Sequence, residues 1–214
     1  MVVSGIAEKL VVPPKDKTTS ISQDEASFIY ALLKKHEIKR TMEVGFAYGY
    51  SAACIIAATG SHHVAIDPFQ SSFDHAGMKN LDALGYGTQC ELREAPSHVA
   101  LPELLKEGKT FQFIFVDGGH RFDEIFVDWY YSDLLLEKDG YVLFHDLWMR
   151  STQMVAAFIQ ANRADYRSIP TTLKNLVLFQ KADRKDERPW DHFEEFYPAN
   201  QTGVFGKIAR KFRR

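Results

Sequence analysis

An α/β fold is what this sequence predicts: a Rossmann-like, doubly wound, mainly parallel seven-stranded sheet with helices on both faces. Three observations carry that expectation. Short apolar runs alternate with segments of helical period from Arg40 to Lys181. Strands spaced by helices argue for βαβ units and a sheet covered on both sides. The runs also end abruptly in carboxylates, glycines or histidines, and such sheets bind ligands where their strands finish at the carboxyl edge.

Taken in order, the first ~20 residues read as a loop-like lead-in with Pro13-Pro14 and a Lys/Thr cluster. "SQDE" then forms a capping box, with Ser22 and Glu25 exchanging side-chain-to-backbone bonds. A helix follows from about Gln23 to His36, its core face supplied by Ala26, Ile29, Tyr30 and Leu33. "RTMEVG" is the first strand, followed by a glycine-bearing turn and the helix "YSAACIIAAT". "HVAIDP" is the second strand, ended by Pro68. A helix over Ala76 to Leu84 stops at Gly85. "CELREA" is a strand, "HVALPELLKE" a helix, "FQFIFVD" a strand and "RFDEIFVDWYYSDLLLE" a long helix. "DGYVLFHD" is the fifth strand, "STQMVAAFIQAN" the next helix, and "YRSIP" with "NLVLFQK" close the sheet. The expected organisation is an N-terminal segment over 1–20, one catalytic domain over 21–181, and a C-terminal extension over 182–214.

Composition narrows the function classes. The chain has 214 residues, 45% hydrophobic and 25% charged, which is ordinary for a globular protein with one good core. A net charge of -2 gives no electrostatic case for nucleic acid. Cys54 and Cys90 have neither CxxC nor zinc-like spacing, so a reduced, cytoplasmic setting is the simplest reading. No apolar run approaches the roughly 18 residues of a membrane span, and the start lacks the pattern of a signal peptide.

"EVGFAYG" places Gly45 and Gly49 in a strand-to-helix turn, where glycine permits close backbone approach to a ligand. No Gly-Lys-Ser/Thr follows, so a nucleoside triphosphate is disfavoured, and the second glycine of the dinucleotide fingerprint is missing. That absence also argues against a nicotinamide oxidoreductase. Asp67 ends the next strand, where a carboxylate can accept from both ribose hydroxyls. Glu43 adds a second carboxylate. Two carboxylates with no basic residue suit a ligand that has a ribose and a cationic amino group but no phosphate, and S-adenosylmethionine fits. The plain alternative for Asp67 is a helix cap.

"MEVGFAYGYSA" followed by "AIDP" resembles the cofactor motifs of class I S-adenosylmethionine-dependent methyltransferases. The "GYS" extension is similar to the small O-methyltransferases of the catechol type and their macrolide-sugar relatives. The resemblance runs from about Ile21 to Lys181. It implies that Glu43, Gly45, Gly49, Tyr50 and Ser51 border the methionine part and that Asp67 holds the ribose. Ser97 in "EAPSHVALPEL" would meet the adenine.

Methyl transfer to oxygen needs a hydroxyl made more nucleophilic, by a positioned base or a bound cation. Asp117 and Asp146 end strands expected to be neighbours, and two carboxylates there repel unless a proton or cation sits between them. A hard divalent ion such as magnesium answers that need. His120, freed by Gly118-Gly119, is the candidate general base. The metal-dependent members imply the same sites, with Asp117 and an acidic pair after the fifth strand as ligands and a base three residues past Asp117. Here that pair is His145-Asp146, and a nitrogen from His145 would favour a softer ion such as manganese, iron or zinc. The alternative for Asp117 is to cap the helix that begins near Arg121.

The N-terminal segment, "FQSSFDHAG" and Trp148-Met149-Arg150 are the expected acceptor-facing parts, rich in aromatics and poor in charge. The acceptor is therefore read as a small hydroxylated molecule. "DRKDERPWDHFEEF" could dock on the body or on a second subunit, and family analogy points to a homodimer. The basic tail "QTGVFGKIARKFRR" is patterned for contact with an anionic membrane, or is a solvated end. The functional expectation is O-methyl transfer from S-adenosylmethionine, assisted by a divalent ion (magnesium or manganese) and His120. The alternatives are a metal-independent methyltransferase with an oxygen or nitrogen acceptor, and a non-catalytic cofactor-binding module.

Overall fold

The computed structural model describes residues 2–16, 20–182 and 185–198. Seven strands form one sheet in the order β3-β2-β1-β4-β5-β7-β6. They are β1 Thr41–Val44, β2 His63–Ile66, β3 Cys90–Arg93, β4 Phe111–Val116, β5 Leu136–Phe144, β6 Tyr166–Ile169 and β7 Val177–Lys181. The first five run parallel, and β7 runs antiparallel to both β5 and β6. Seven helices accompany them: α1 Val2–Ala7, α2 Gln23–Lys35, α3 Tyr50–Thr59, α4 Ala76–Leu84, α5 Ser97–Lys106, α6 Phe122–Leu135 and α7 Arg150–Asn162. This is the expected doubly wound sheet.

Two apolar clusters fill the two faces. Ile29, Leu33, Ile55, Phe113, Phe115 and Leu178 pack on one side with α2 and α3. Met42, Val44, Ile114, Val116, Trp129 and Phe144 pack on the other with α5, α6 and α7. Alternate residues of β4 and β5 divide between the clusters because strand side chains have a period of two. Fully buried strands flanked by helices on both faces are what made these runs read as uniformly apolar.

The N-terminal segment departs from expectation. Val2–Ala7 is a helix, not a loop, and buries Val3 and Ile6. Two buried positions three apart are too few to register as a periodic pattern; packing against α2 and α3 supplies what propensity does not. Farther along, the predicted capping box is present, with Ser22 Oγ accepting from the Glu25 amide and Glu25 from the Ser22 amide. In the C-terminal extension, Asn162 Nδ2 donates to the Glu194 carbonyl at 2.9 Å and Asn162 Oδ1 accepts from the Glu194 amide at 2.7 Å. Phe196 also packs edge-on to Phe158. Those residues therefore dock on the body of the same chain. The basic tail over 201–214 lies outside the described residues.

Register positions the site. Ile66, Val44, Val116 and Phe144 stand side by side across the four central strands. The next residue of each strand, respectively Asp67, Gly45, Asp117 and His145, therefore forms a row along the carboxyl edge.

Candidate active site

A cleft of about 700 Å³ opens along that row. Asp67, Gly45, Asp117, His145 and Asp146 all line it, as do Tyr50, Ser51, Ser97 and His120. Its described lining holds no lysine or arginine; the basic groups there are His98, His120 and His145.

The glycine turn is shaped by close approach. Gly45 has φ +93°, and a Cβ at that position would stand 2.0 Å from the Asp117 carbonyl oxygen. Only glycine fits, on both counts. Gly49, at φ +77°, leads into α3. Asp67 organises the same turn. Its Oδ2 accepts from the amides of Phe46 at 3.1 Å and Ala47 at 2.8 Å, and its Oδ1 accepts from Phe69 at 2.7 Å. A carboxylate offers about four lone-pair sites, so Asp67 keeps capacity for a ligand while fixing the loop around it. It does not cap a following helix.

Glu43 is not part of the cleft wall. It lies one residue inside β1, fully buried, with Oε1 3.5 Å from His63 Nε2. Strand alternation turns it into the α3-side layer, away from the edge. Glu43 thus lies beneath the glycine turn, outside the described lining of the cleft.

At the chemical end, β4 and β5 are neighbours and bring Asp117 and Asp146 together, as their positions in sequence suggested. His120 Nε2 stands 2.8 Å from Asp146 Oδ2. One ligand atom from each of Asp117, His120 and Asp146 lies within 4.8 Å of the other two. This donor set of two carboxylates and an imidazole fits a divalent ion. Asp117 does not cap α6; the Arg121 amide instead donates to Glu124 Oε2 at 3.3 Å.

His145 departs from its expected ligand role because both ring nitrogens are already engaged. Nδ1 is 2.9 Å from Asp117 Oδ1 and 3.3 Å from Asp146 Oδ1. Nε2 is 2.9 Å from Asn175 Nδ2 and 3.4 Å from Glu25 Oε2. Burial works against a charged ring here, but the bonds to Asp117 and Asp146 outweigh it and raise the pKa to about 10. The bond from His145 in turn holds Asp146 down at about 2, against the effect of burial. Desolvation pushes the Asp117 pKa up despite the same partner. His145 Nδ1 thus lies between the two acids.

Sequence reasoning missed Glu25 and Asn175. Glu25 was legible as a capping residue, but nothing local shows that it also reaches His145, 120 positions away in the numbering. Trp148, flagged as acceptor-facing, is 69% exposed on the cleft wall with its indole nitrogen donating to Asp146 Oδ1 at 2.8 Å.

Comparison with known proteins gives this geometry a context. Residues 42–147 match the family model described as a methyltransferase domain. A caffeoyl-CoA O-methyltransferase of Petroselinum crispum is 30% identical over 129 residues, covering 58% of this chain and 46% of that protein. One from Eucalyptus globulus is 33% identical over 101 residues, 45% of this chain and 41% of that protein. The matched region thus spans under half the length of these curated relatives. Among solved structures, the O-methyltransferase TomG of Streptomyces achromogenes, in complex with S-adenosylmethionine, superposes with a TM-score of 0.69 at 19% identity, covering 85% of this chain and 90% of that one. An O-methyltransferase of Bacillus cereus in complex with S-adenosylhomocysteine gives 0.66 at 14% identity, covering 84% and 90%. These superpositions establish the fold.

Proposed function

We propose that this chain, which belongs to the caffeoyl-CoA O-methyltransferase-like family of class I S-adenosylmethionine-dependent methyltransferases, transfers the cofactor's methyl group to a hydroxyl of a small molecule. The observation that carries this reading is the row of Asp67, Gly45, Asp117 and His145 along one cleft, with Asp146 and His120 beside it. The nucleoside end is the Asp67–Ser97 side; the acceptor end is the Asp117–Trp148 side.

S-adenosylmethionine supplies an electrophilic methyl on sulfur, and a divalent ion beside Asp117 and Asp146 would lower the pKa of a bound hydroxyl. The remaining work falls to the chain. His120, on a glycine-loosened turn at the cleft wall, is the base that takes the hydroxyl proton, on Nδ1, since its Nε2 faces Asp146. Asp117 and Asp146 would hold the ion beside the acceptor hydroxyl, and His145 Nδ1 lies between the two acids. Trp148 walls the acceptor. Tyr50 and Ser51, at the start of α3, border the methionine moiety. Orientation of the two reactants supplies much of the acceleration.

A labelled-methyl assay against a panel of hydroxylated aromatics tests this. Transfer to oxygen that falls on chelation and returns with magnesium or manganese is the expected result. A panel with no acceptor, despite tight cofactor binding, would leave a non-catalytic module. The contact of His145 Nδ1 with both acids favours a second reading, a metal-independent transferase, because the acid pair already has a hydrogen-bonding partner between its members. Undiminished turnover in chelator selects it.

A further inference from the structure

The turn that carries His120 is weakly held by its own backbone. Two glycines precede His120, and glycine has the widest conformational freedom of any residue. Close packing demands both. A Cβ at Gly118 would stand 2.8 Å from Val44 Cγ1, and one at Gly119 would stand 2.3 Å from Glu124 Oε2. Among the described residues, no backbone–backbone hydrogen bond ties Gly118, Gly119 or His120 to the rest of the chain. The His120 side chain is half-exposed, so packing does little to hold it.

One side chain supplies a tie. Ser151 Oγ, in the first turn of α7, donates to the His120 carbonyl at 2.7 Å. Met149, the N-cap of α7, has no capping side chain, and the nearby Ser151 hydroxyl is spent across the cleft wall and not on its own helix. That helix start is fixed to the end of β5. The Met149 amide donates to the Asp146 carbonyl at 2.9 Å, and Gln153 Nε2 donates to the Leu147 carbonyl at 2.9 Å. The Leu147 amide donates to the Asn175 carbonyl at 3.1 Å. Ser151 therefore joins the loose turn to the frame that carries Asp146. It is outside the described lining of the cleft, so it acts through His120 and not on the ligands.

We propose that Ser151 is a positioning residue for methyl transfer: its hydrogen bond to the His120 carbonyl sets where the base stands relative to Asp146. This rests on the reading of His120 as the base. Without the bond, Gly118-Gly119 lets the imidazole take positions from which proton transfer is slow. A loss of that kind lowers turnover and leaves the binding of both ligands in place.

The test uses Ser151→Ala and Ser151→Thr in the full chain, with catechol or the panel member that wild type methylates fastest as acceptor. Alanine is a strong helix former, so the first variant should keep its fold. Its kcat should fall about tenfold, with acceptor KM and S-adenosylhomocysteine affinity within about twofold of wild type. Ser151→Thr, which keeps the hydroxyl, should retain at least about half of the wild-type kcat. In a His120→Gln background Ser151→Ala should cost no more than about twofold further, because residues that act as a unit are not additive. Hydrogen exchange of the amides over 118–121 should be about tenfold faster in Ser151→Ala. A merely structural serine would show an unchanged kcat, or a full tenfold loss again in the His120→Gln background, and either result overturns the proposal. Unchanged exchange over 118–121 overturns it as well, since the bond would not be what holds the turn. If wild type methylates no acceptor, the reading of the cleft as a transferase site falls and this proposal with it. Wild-type turnover matched by Ser151→Ala refutes Ser151 alone.

Discussion

At one edge of the sheet Asp133 and Asp165 are held by Arg163 and Lys181; at the other, Asp117 and Asp146 are held by His120 and His145. Both clusters are acid-rich and largely buried, yet they are built for opposite ends. Arg163 grips Asp133 bidentately at 2.8 and 2.9 Å, binds Asp165 at 2.6 Å, and lies against the rings of Trp129 and Tyr166. Lys181 Nζ adds 2.7 Å to the Asp133 carbonyl. The Arg163 guanidinium is fixed in charge and planar in geometry, and the cluster ties the end of α6 to β7. At the cleft the partners of the acids are imidazoles, a side chain that can take and give protons. One network is closed; the other keeps a half-exposed His120 and an open cleft. The same ingredients make a fastener where the cation cannot change and a reaction site where it can.

Breaking the fastener should have the largest effect. Arg163→Met leaves Asp133 and Asp165 buried without their main partner, and we expect a loss of about 3–5 kcal/mol in urea unfolding. S-adenosylhomocysteine affinity of the folded fraction should stay within about twofold. A loss under ~1 kcal/mol would erase the contrast.

Asp117→Asn should do the reverse. Methyl transfer is expected to fall by about 10²–10³-fold, with unfolding free energy within about 1 kcal/mol of wild type. Coupled loss of stability and activity would mean that the cleft acids are structural as well. A smaller change is expected for His120→Gln, about 10²-fold in kcat/KM. A fall of less than about threefold would remove His120 as the base.

The mildest contrast lies in acid. Although burial opposes it, Arg163 holds the Asp133 carboxyl below its ordinary value of 3.8. A group whose folded pKa is depressed contributes stability that is present above its unfolded value and lost as pH falls through the lower folded value. The wild-type urea midpoint should therefore drop below about pH 4, and Arg163→Met should show less of that drop. Equal acid slopes in the two proteins would contradict the assignment.

Much of this was legible because the information is local. The helices over Tyr50–Thr59 and Ala76–Leu84 and the strand ends at Asp67, Asp117 and His145 follow from apolar runs, glycines and caps. What escaped depends on sheet order or single-residue direction. Glu43 faces His63 because it falls one residue short of the strand end, and no pattern distinguishes that from an edge position. Glu25 and Asn175 meet His145 only because α2 and the approach to β7 converge on β5.

The contact between Gly45 and the Asp117 carbonyl couples the two halves of the cleft at a single point. A cofactor that tightens the glycine turn presses on the residue that anchors the acceptor end. Binding energy spent at one end is then felt at the other, and linkage requires the influence to be equal in both directions. If cofactor and acceptor occupy the two ends, each should change the other's affinity by the same factor.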